Sequence, residues 1–173
     1  MGAEIGDADL VVLQSFCELM LDLDKFRTKS EGYVEDVLKQ IAPNMTSVVG
    51  SALSARLISI AGSLDNLAKM PASTVQVLGA EKALFRSLKT GARPPKHGVI
   101  FQHIAIHQSP RWQRGKIARA ISGKLSIAAR LDAFGGEFLG QKLREDVDRK
   151  VDEIKERYKV PPPPKKREFA RRR

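Results

Sequence analysis

The sequence predicts an all-α fold, on three observations. Apolar residues recur at three- and four-residue spacing through almost every long segment, instead of alternating as strands do. Capping residues and Gly or Pro stops fall between those segments. At 173 residues, 42% of them hydrophobic, the chain can bury one sizeable core.

Asp7 or Asp9 can cap a first helix running to about Arg27, with Leu10, Leu13, Phe16, Cys17, Met20 and Leu23 on a broad apolar stripe. Cys17, inside that stripe, is expected to be buried. Ser30 can start a second helix with Val34, Val37, Leu38 and Ile41 inward, ended by Pro43. Asn44 then caps MTSVVGSALSARLISIAG (45–62), whose Gly50, Ala52, Ser54 and Ala55 admit a close neighbour and whose Gly62 stops it. A short helical turn from Ser63 to Met70 reaches Pro71. Ser73 and Gln76 have capping-box spacing for a helix that carries Val75, Val77, Leu78, Leu84, Phe85 and Leu88 and ends at Thr90 and Gly91. Gly79 is its weak point or bend.

Residues 92–108 read as irregular, with GVIFQ tucking Val99, Ile100 and Phe101 into the core, a short buried strand being an option there. Ser109 and Pro110 open a helix through about Phe134. A last amphipathic helix spans about Glu137 to Tyr158 through Leu139, Leu143, Val147, Val151 and Ile154. Four prolines at 161–164 stop helix, and KKREFARRR (165–173) has too little apolar content to pack, so the tail is expected to be disordered when unbound. No internal repeat is evident.

Function classes narrow next. One cysteine permits no internal disulfide and favours an intracellular setting. No apolar run approaches the roughly 20 residues that span a bilayer, and no basic region followed by an apolar one opens the chain, so it reads as soluble and unexported, without a membrane partner. The formal net charge of +10 favours acidic partners, nucleic acid first. Its distribution says more. Residues 1–85 hold 7 basic and 11 acidic side chains, whereas 82–131 hold 11 basic ones and no Asp or Glu. A solvated helix face mixes both signs to limit self-repulsion, so fifty residues of one sign imply a compensating polyanion.

Helical geometry orders these cations. Lys82, Arg86 and Lys89 follow i, i+4, i+7 spacing. Lys116, Arg119, Gly123 and Arg130 share one angular position opposite Ile117, Ile121, Leu125 and Ala128, with Gly123 leaving room for a backbone to approach. Joined by a loop carrying Arg93, Lys96 and His97, the two basic helices are expected to form a concave positive face suited to phosphates. Arg114 and Lys124 belong to it on the charge argument.

Catalytic constellations find no foothold. His103 and His107 have i, i+4 spacing but no third ligand, so no metal and no other cofactor is expected. Lys89-Thr90-Gly91 lacks the serine motifs that accompany it in penicillin-recognising enzymes. Phosphate-loop, nucleophile-elbow and dinucleotide motifs are not found. Trp112 is expected to anchor its helix on the core in preference to stacking on a base.

The segments IAPNMTSVVGSALSARLISIAGSLDNLAKMPASTVQVLGAEKALFRSLKTGARPPKHGVIFQH (41–103) and SPRWQRGKIARAISGKLSIAARLDAF (109–134) resemble the Nop domain of the box C/D ribonucleoprotein scaffold, which a spliceosomal relative shares. GAEKALFR and the P-K-x-G turn carry the likeness, which covers about residues 35–163, and the SPRWQRGKIAR wording looks archaeal. Ile104 stands where that pattern has a proline.

The resemblance implies a non-catalytic, all-helical module that binds a box C/D guide RNA together with a small kink-turn-binding, ribosomal-protein-like partner. It also implies a role in guiding 2'-O-methylation, in the cytoplasm of an archaeon or the nucleolus or nucleus of a eukaryote. It divides the chain into an N-terminal extension (1–6), a remnant of the coiled coil (7–42) through which the family self-associates, the Nop domain (43–160) and a Pro-rich basic tail (161–173). Fibrillarin, the methyltransferase, is expected to be met only through a family domain this sequence does not contain. Gly79, Ala80, Glu81, Lys82 and Arg86 match the RNA-linked motif, and Lys89, Arg93, Lys96 and His97 the turn after it. The competing readings are a spliceosomal assembly factor or a general helical nucleic-acid binder; an enzyme has the least support.

Overall fold

A single helix of 35 residues, α1 (Asp7–Ile41), begins the structure, a computed structural model that describes residues 6–163. The break expected between Arg27 and Ser30 does not occur. The Thr28 and Ser30 hydroxyls donate to the Asp24 and Phe26 carbonyls at 3.0 and 2.9 Å, so both side chains return to the helix instead of capping a new one. Arg27 pairs with Glu31 across the expected gap at 2.9 Å. Gly6 occupies the N-cap, and Asp7 and Asp9 lie in the first turn, where they complement the helix dipole. Residues 7–29 are exposed throughout, Cys17 included, which corrects its expected burial. Of α1, Leu38 is buried.

Ala42 separates α1 from α2 (Pro43–Val49), with Pro43 at its first position. Asn44 does not cap this helix but lies within it. The cap comes from far along the chain: Asp132 Oδ1 accepts from Asn44 N and Nδ2 at 3.0 and 2.8 Å, and Oδ2 accepts from Met45 N at 2.9 Å. Asn44 Oδ1 then accepts from Leu139 N at 2.7 Å, tying α2 to the residues after Asp132. Gly50, at φ 84°, divides the long helix expected over 45–62 into α2 and α3 (Ser51–Ala61). Gly62 stops α3 as expected, and Ser63 caps α4 (Leu64–Lys69) by accepting from Asn66 N at 3.1 Å.

Pro71, not Ser73, stands at the N-cap of α5 (Ala72–Val77), which has no side-chain cap. The expected capping box fails because Gln76 is buried and donates elsewhere, to the Lys96 carbonyl at 2.6 Å. The chain turns at Gly79 and restarts as α6 (Glu81–Thr90), closed by Gly91. Val99–Gln102 forms a 3-10 turn, not a strand, with Ile100 fully buried. A one-turn α7 (Ile104–His107) follows. Ile104 opens it at a position that suits the family's proline equally, since the first helical N–H has no intrahelical acceptor.

Helix α8 (Arg111–Ala133) is the axis of the core, packing against α2, α4, α5 and α9 (Gly140–Arg157). Its Ile117, Ile121, Leu125 and Ala128 are all fully buried, and α9 supplies Leu143, Val147 and Val151. The architecture is all-α, with no strand among the described residues. Helix α6 is the exception to the packing: Phe85 is 62% and Leu88 73% exposed, and among the described residues no other helix lies substantially against it. The tail at 165–173, expected to be disordered, lies outside the described residues.

Candidate nucleic-acid interface

The turn between α5 and α6 is built by GAEK. Gly79 holds φ 81°, and a Cβ there would stand 2.4 Å from Val99 Cγ2, so both conformation and space require glycine. Glu81 Oε1 accepts from Gly79 N at 2.6 Å, which gives the one acid of this stretch a backbone role. The Ala80 amide donates to the Val77 carbonyl at 2.9 Å. Val99 N and Gly98 N then donate to the Leu78 and Gln76 carbonyls at 2.9 and 2.8 Å, locking the return of the loop onto the turn. Gly79, Ala80 and Glu81 therefore shape this region, while Lys82, Arg86 and Lys89 project from it on exposed α6.

That loop, 91–98, lies against the first half of α8. Between them runs a groove of about 480 Å³ lined by Arg93, Pro94, Pro95, Lys96, Gln76, Trp112, Gly115, Lys116 and Arg119. Its position depends on two contacts that sequence reasoning missed. Gln76 holds the Lys96 carbonyl, and Gly115 lets the Lys96 stem pass at 3.3 Å from where a Cβ would be. Gly123, expected to leave room for a backbone, faces open space, whereas Gly115 is the glycine of α8 against which the Lys96 side chain packs. A mid-helix glycine among cations is the signal available in the sequence for the Gly115 contact.

The concave positive face exists, but its walls are the loop and α8. Lys82, Arg86 and Lys89 do not line the groove. Three further cations of the belt are tied to the protein. Arg114 Nε and a terminal guanidinium nitrogen donate to the Ser109 and His107 carbonyls at 2.8 and 3.2 Å, with the guanidinium 5.2 Å from the Phe101 ring centroid. Lys124 Nζ lies 2.7 Å from Asp146 Oδ2, and that ammonium holds the Asp146 carboxyl below its ordinary range. Arg130 Nε donates to the Ala68 carbonyl at 3.1 Å. Lys116 sits 3.9 Å over the Tyr158 ring while its stem lines the groove. Among the described residues, no carboxylate lies within 4.0 Å of Lys82, Arg86, Lys89, Arg93, Lys96 or Arg119.

His97 stacks on Phe101 with ring centroids 4.7 Å apart. Burial, then the charges of Arg114 and Lys96, hold its pKa below the ordinary histidine value, which favours the neutral imidazole. Trp112 anchors its helix as expected: its Nε1 donates to the Tyr158 carbonyl at 2.9 Å, beside a parallel bond from buried Gln113. The same indole also lines the groove. His103 caps α7 by accepting from Ala105 N at 3.3 Å through Nδ1, and His107 packs on Phe101 at 5.3 Å, which separates the pair's roles.

A family model described as "Nop: snoRNA binding domain, fibrillarin" matches residues 1–153. An uncharacterised NOP5 family protein of Methanocaldococcus jannaschii is 50% identical over 161 residues, covering 93% of this chain and 39% of that protein. Nucleolar protein 56 of Mus musculus is 44% identical over 154 residues, covering 87% of this chain and 27% of its own length. The chain thus spans between about a quarter and two fifths of these relatives. A solved structure, the crystal structure of a fibrillarin/Nop5p complex, superposes with a TM-score of 0.65 at 34% identity, covering 88% of this chain and 56% of that one. The motifs, the all-helical architecture and these likenesses agree: the chain belongs to the Nop family.

Proposed function

We propose that this chain is a non-catalytic RNA- and protein-binding scaffold module of a box C/D ribonucleoprotein that guides 2'-O-methylation. It recognises a kink-turn RNA on which a small kink-turn-binding protein already sits. The observation that carries this reading is the groove of loop 91–98 and α8, where Arg93, Lys96 and Arg119 converge with no acid lining it. Unneutralised cations around a concavity favour phosphate, and each phosphate bound releases counterions. The second surface is α6, where exposed Phe85 and Leu88 stand beside Lys82, Arg86 and Lys89. Apolar side chains interleaved with cations suit a composite of protein and RNA better than RNA alone.

The exposed apolar stripe of α1 supports self-association through a second helix. The relatives' printed names support the setting, a particle with fibrillarin in an archaeon or in a eukaryotic nucleolus.

A gel shift with kink-turn RNA, with and without the small protein, tests the reading. Binding to the binary complex is expected to exceed binding to naked RNA or linear duplex. Equal binding to linear duplex would overturn composite recognition. Arg86→Ala and Lys89→Ala are expected to weaken assembly and lower the salt slope by about 1 each without unfolding the chain.

A further inference from the structure

The groove has more than its cations require. Phosphates of a stem are held by exposed Lys and Arg and need no apolar wall, yet Trp112, Pro94 and Pro95 form one here. We infer that the groove between loop 91–98 and α8 receives a single unstacked nucleobase of the bound RNA, set against Trp112 and the proline pair, with its flanking phosphates on Arg93 and Arg119. This rests on the RNA-binding reading above and names the part of the RNA that this site takes.

Three features carry the inference. The volume, about 480 Å³, accommodates a nucleotide but not a helical stem. The Trp112 indole is fixed by its bond to the Tyr158 carbonyl at 2.9 Å, so stacking on it orders no new side chain. Gly115 keeps the α8 wall low beside Lys96, and any larger side chain there would fill the groove. Charge complementarity selects the occupant: an apolar peptide would leave the cationic rim unpaired, whereas a nucleotide meets wall and rim together.

Trp112 is the sequence's one tryptophan, so tryptophan-selective excitation, with the signal of the small protein and RNA subtracted, reports on this site in the chain. The test uses the full chain, the small kink-turn-binding protein and kink-turn RNAs with one abasic nucleotide scanned through the unpaired positions. Intact RNA is expected to quench Trp112, and one abasic position to abolish the quench and weaken binding about tenfold. Gly115→Leu, which narrows the groove beside Lys96, is expected to reproduce that loss while the chain stays folded by its thermal unfolding transition. Tight binding with unaltered fluorescence, or with no sensitive abasic position, would overturn the base pocket while leaving RNA recognition intact. Failure to bind any of the RNAs would instead overturn the RNA-binding reading, and the pocket with it.

Discussion

In α8, Ile117, Ile121, Leu125 and Ala128 follow helical spacing and are fully buried; in α1, Leu13, Phe16, Met20 and Leu23 follow similar spacing and are exposed. The sequence patterns are of one kind, and what differs is the cover. Around α8, other helices of the same chain supply it, chiefly α2, α4, α5 and α9. Along the first three-fifths of α1, no part of the described chain does. Periodicity identifies a face that gains from desolvation, and only tertiary contact says where that gain is realised.

The contrast predicts different costs for similar substitutions. Leu125→Ala is expected to destabilise the chain by about 2–5 kcal/mol through lost burial and a residual cavity. Leu23→Ala is expected to stay within about 0.5 kcal/mol at concentrations where the chain is monomeric. Thermal or denaturant unfolding measures both, and similar losses would show that α1 is covered in solution.

Two carboxylates sharpen the same distinction between buried and exposed. Asp132 closes two backbone amides of α2 and the Asn44 side chain in a half-buried setting, whereas Glu81 closes one exposed amide. Asp132→Ala is expected to cost about 2 kcal/mol and Glu81→Ala about 1 kcal/mol or less, read from the same unfolding curves.

A smaller effect follows from His103. Burial is the main force holding its pKa below the ordinary value; Arg144 adds to it, while Asp148 and a bond to the Val48 carbonyl oppose it. The unfolded chain therefore binds protons more readily, so this stability is fully present above about pH 6.5 and is lost as pH falls through the folded pKa. Melting temperature is expected to drop over that acid range, and His103→Gln to flatten part of the drop, with His97 acting in the same direction.

How much of this was legible in the sequence follows from the range of each interaction. Helix stops that depend on one residue, Pro43, Gly62 and Gly91, were readable because their backbone constraint is local. Caps were not, because Asn44 receives its partner from Asp132, 88 residues away, and Gln76 spends its amide on Lys96. Ser30 resembled a cap in sequence and bonded back into its own helix instead. In the site, the cations and their belt were plain, but which remain unpaired was not. Lys124 and Arg119 are both basic residues of α8, and only the packing of α9 brings Asp146 to Lys124. The apolar wall was likewise hidden, since Trp112 and the proline pair meet only in three dimensions.

That last pair provides the most direct test of the central claim, that the cations left free by the fold are the ones that bind RNA. The measurement is the salt dependence of binding to the kink-turn RNA complexed with its small protein, for Arg119→Ala and Lys124→Ala. Arg119→Ala is expected to lower the slope of log affinity against log salt by about 1, and Lys124→Ala to leave it unchanged. A lowered slope for Lys124→Ala together with an unchanged one for Arg119→Ala would contradict the account.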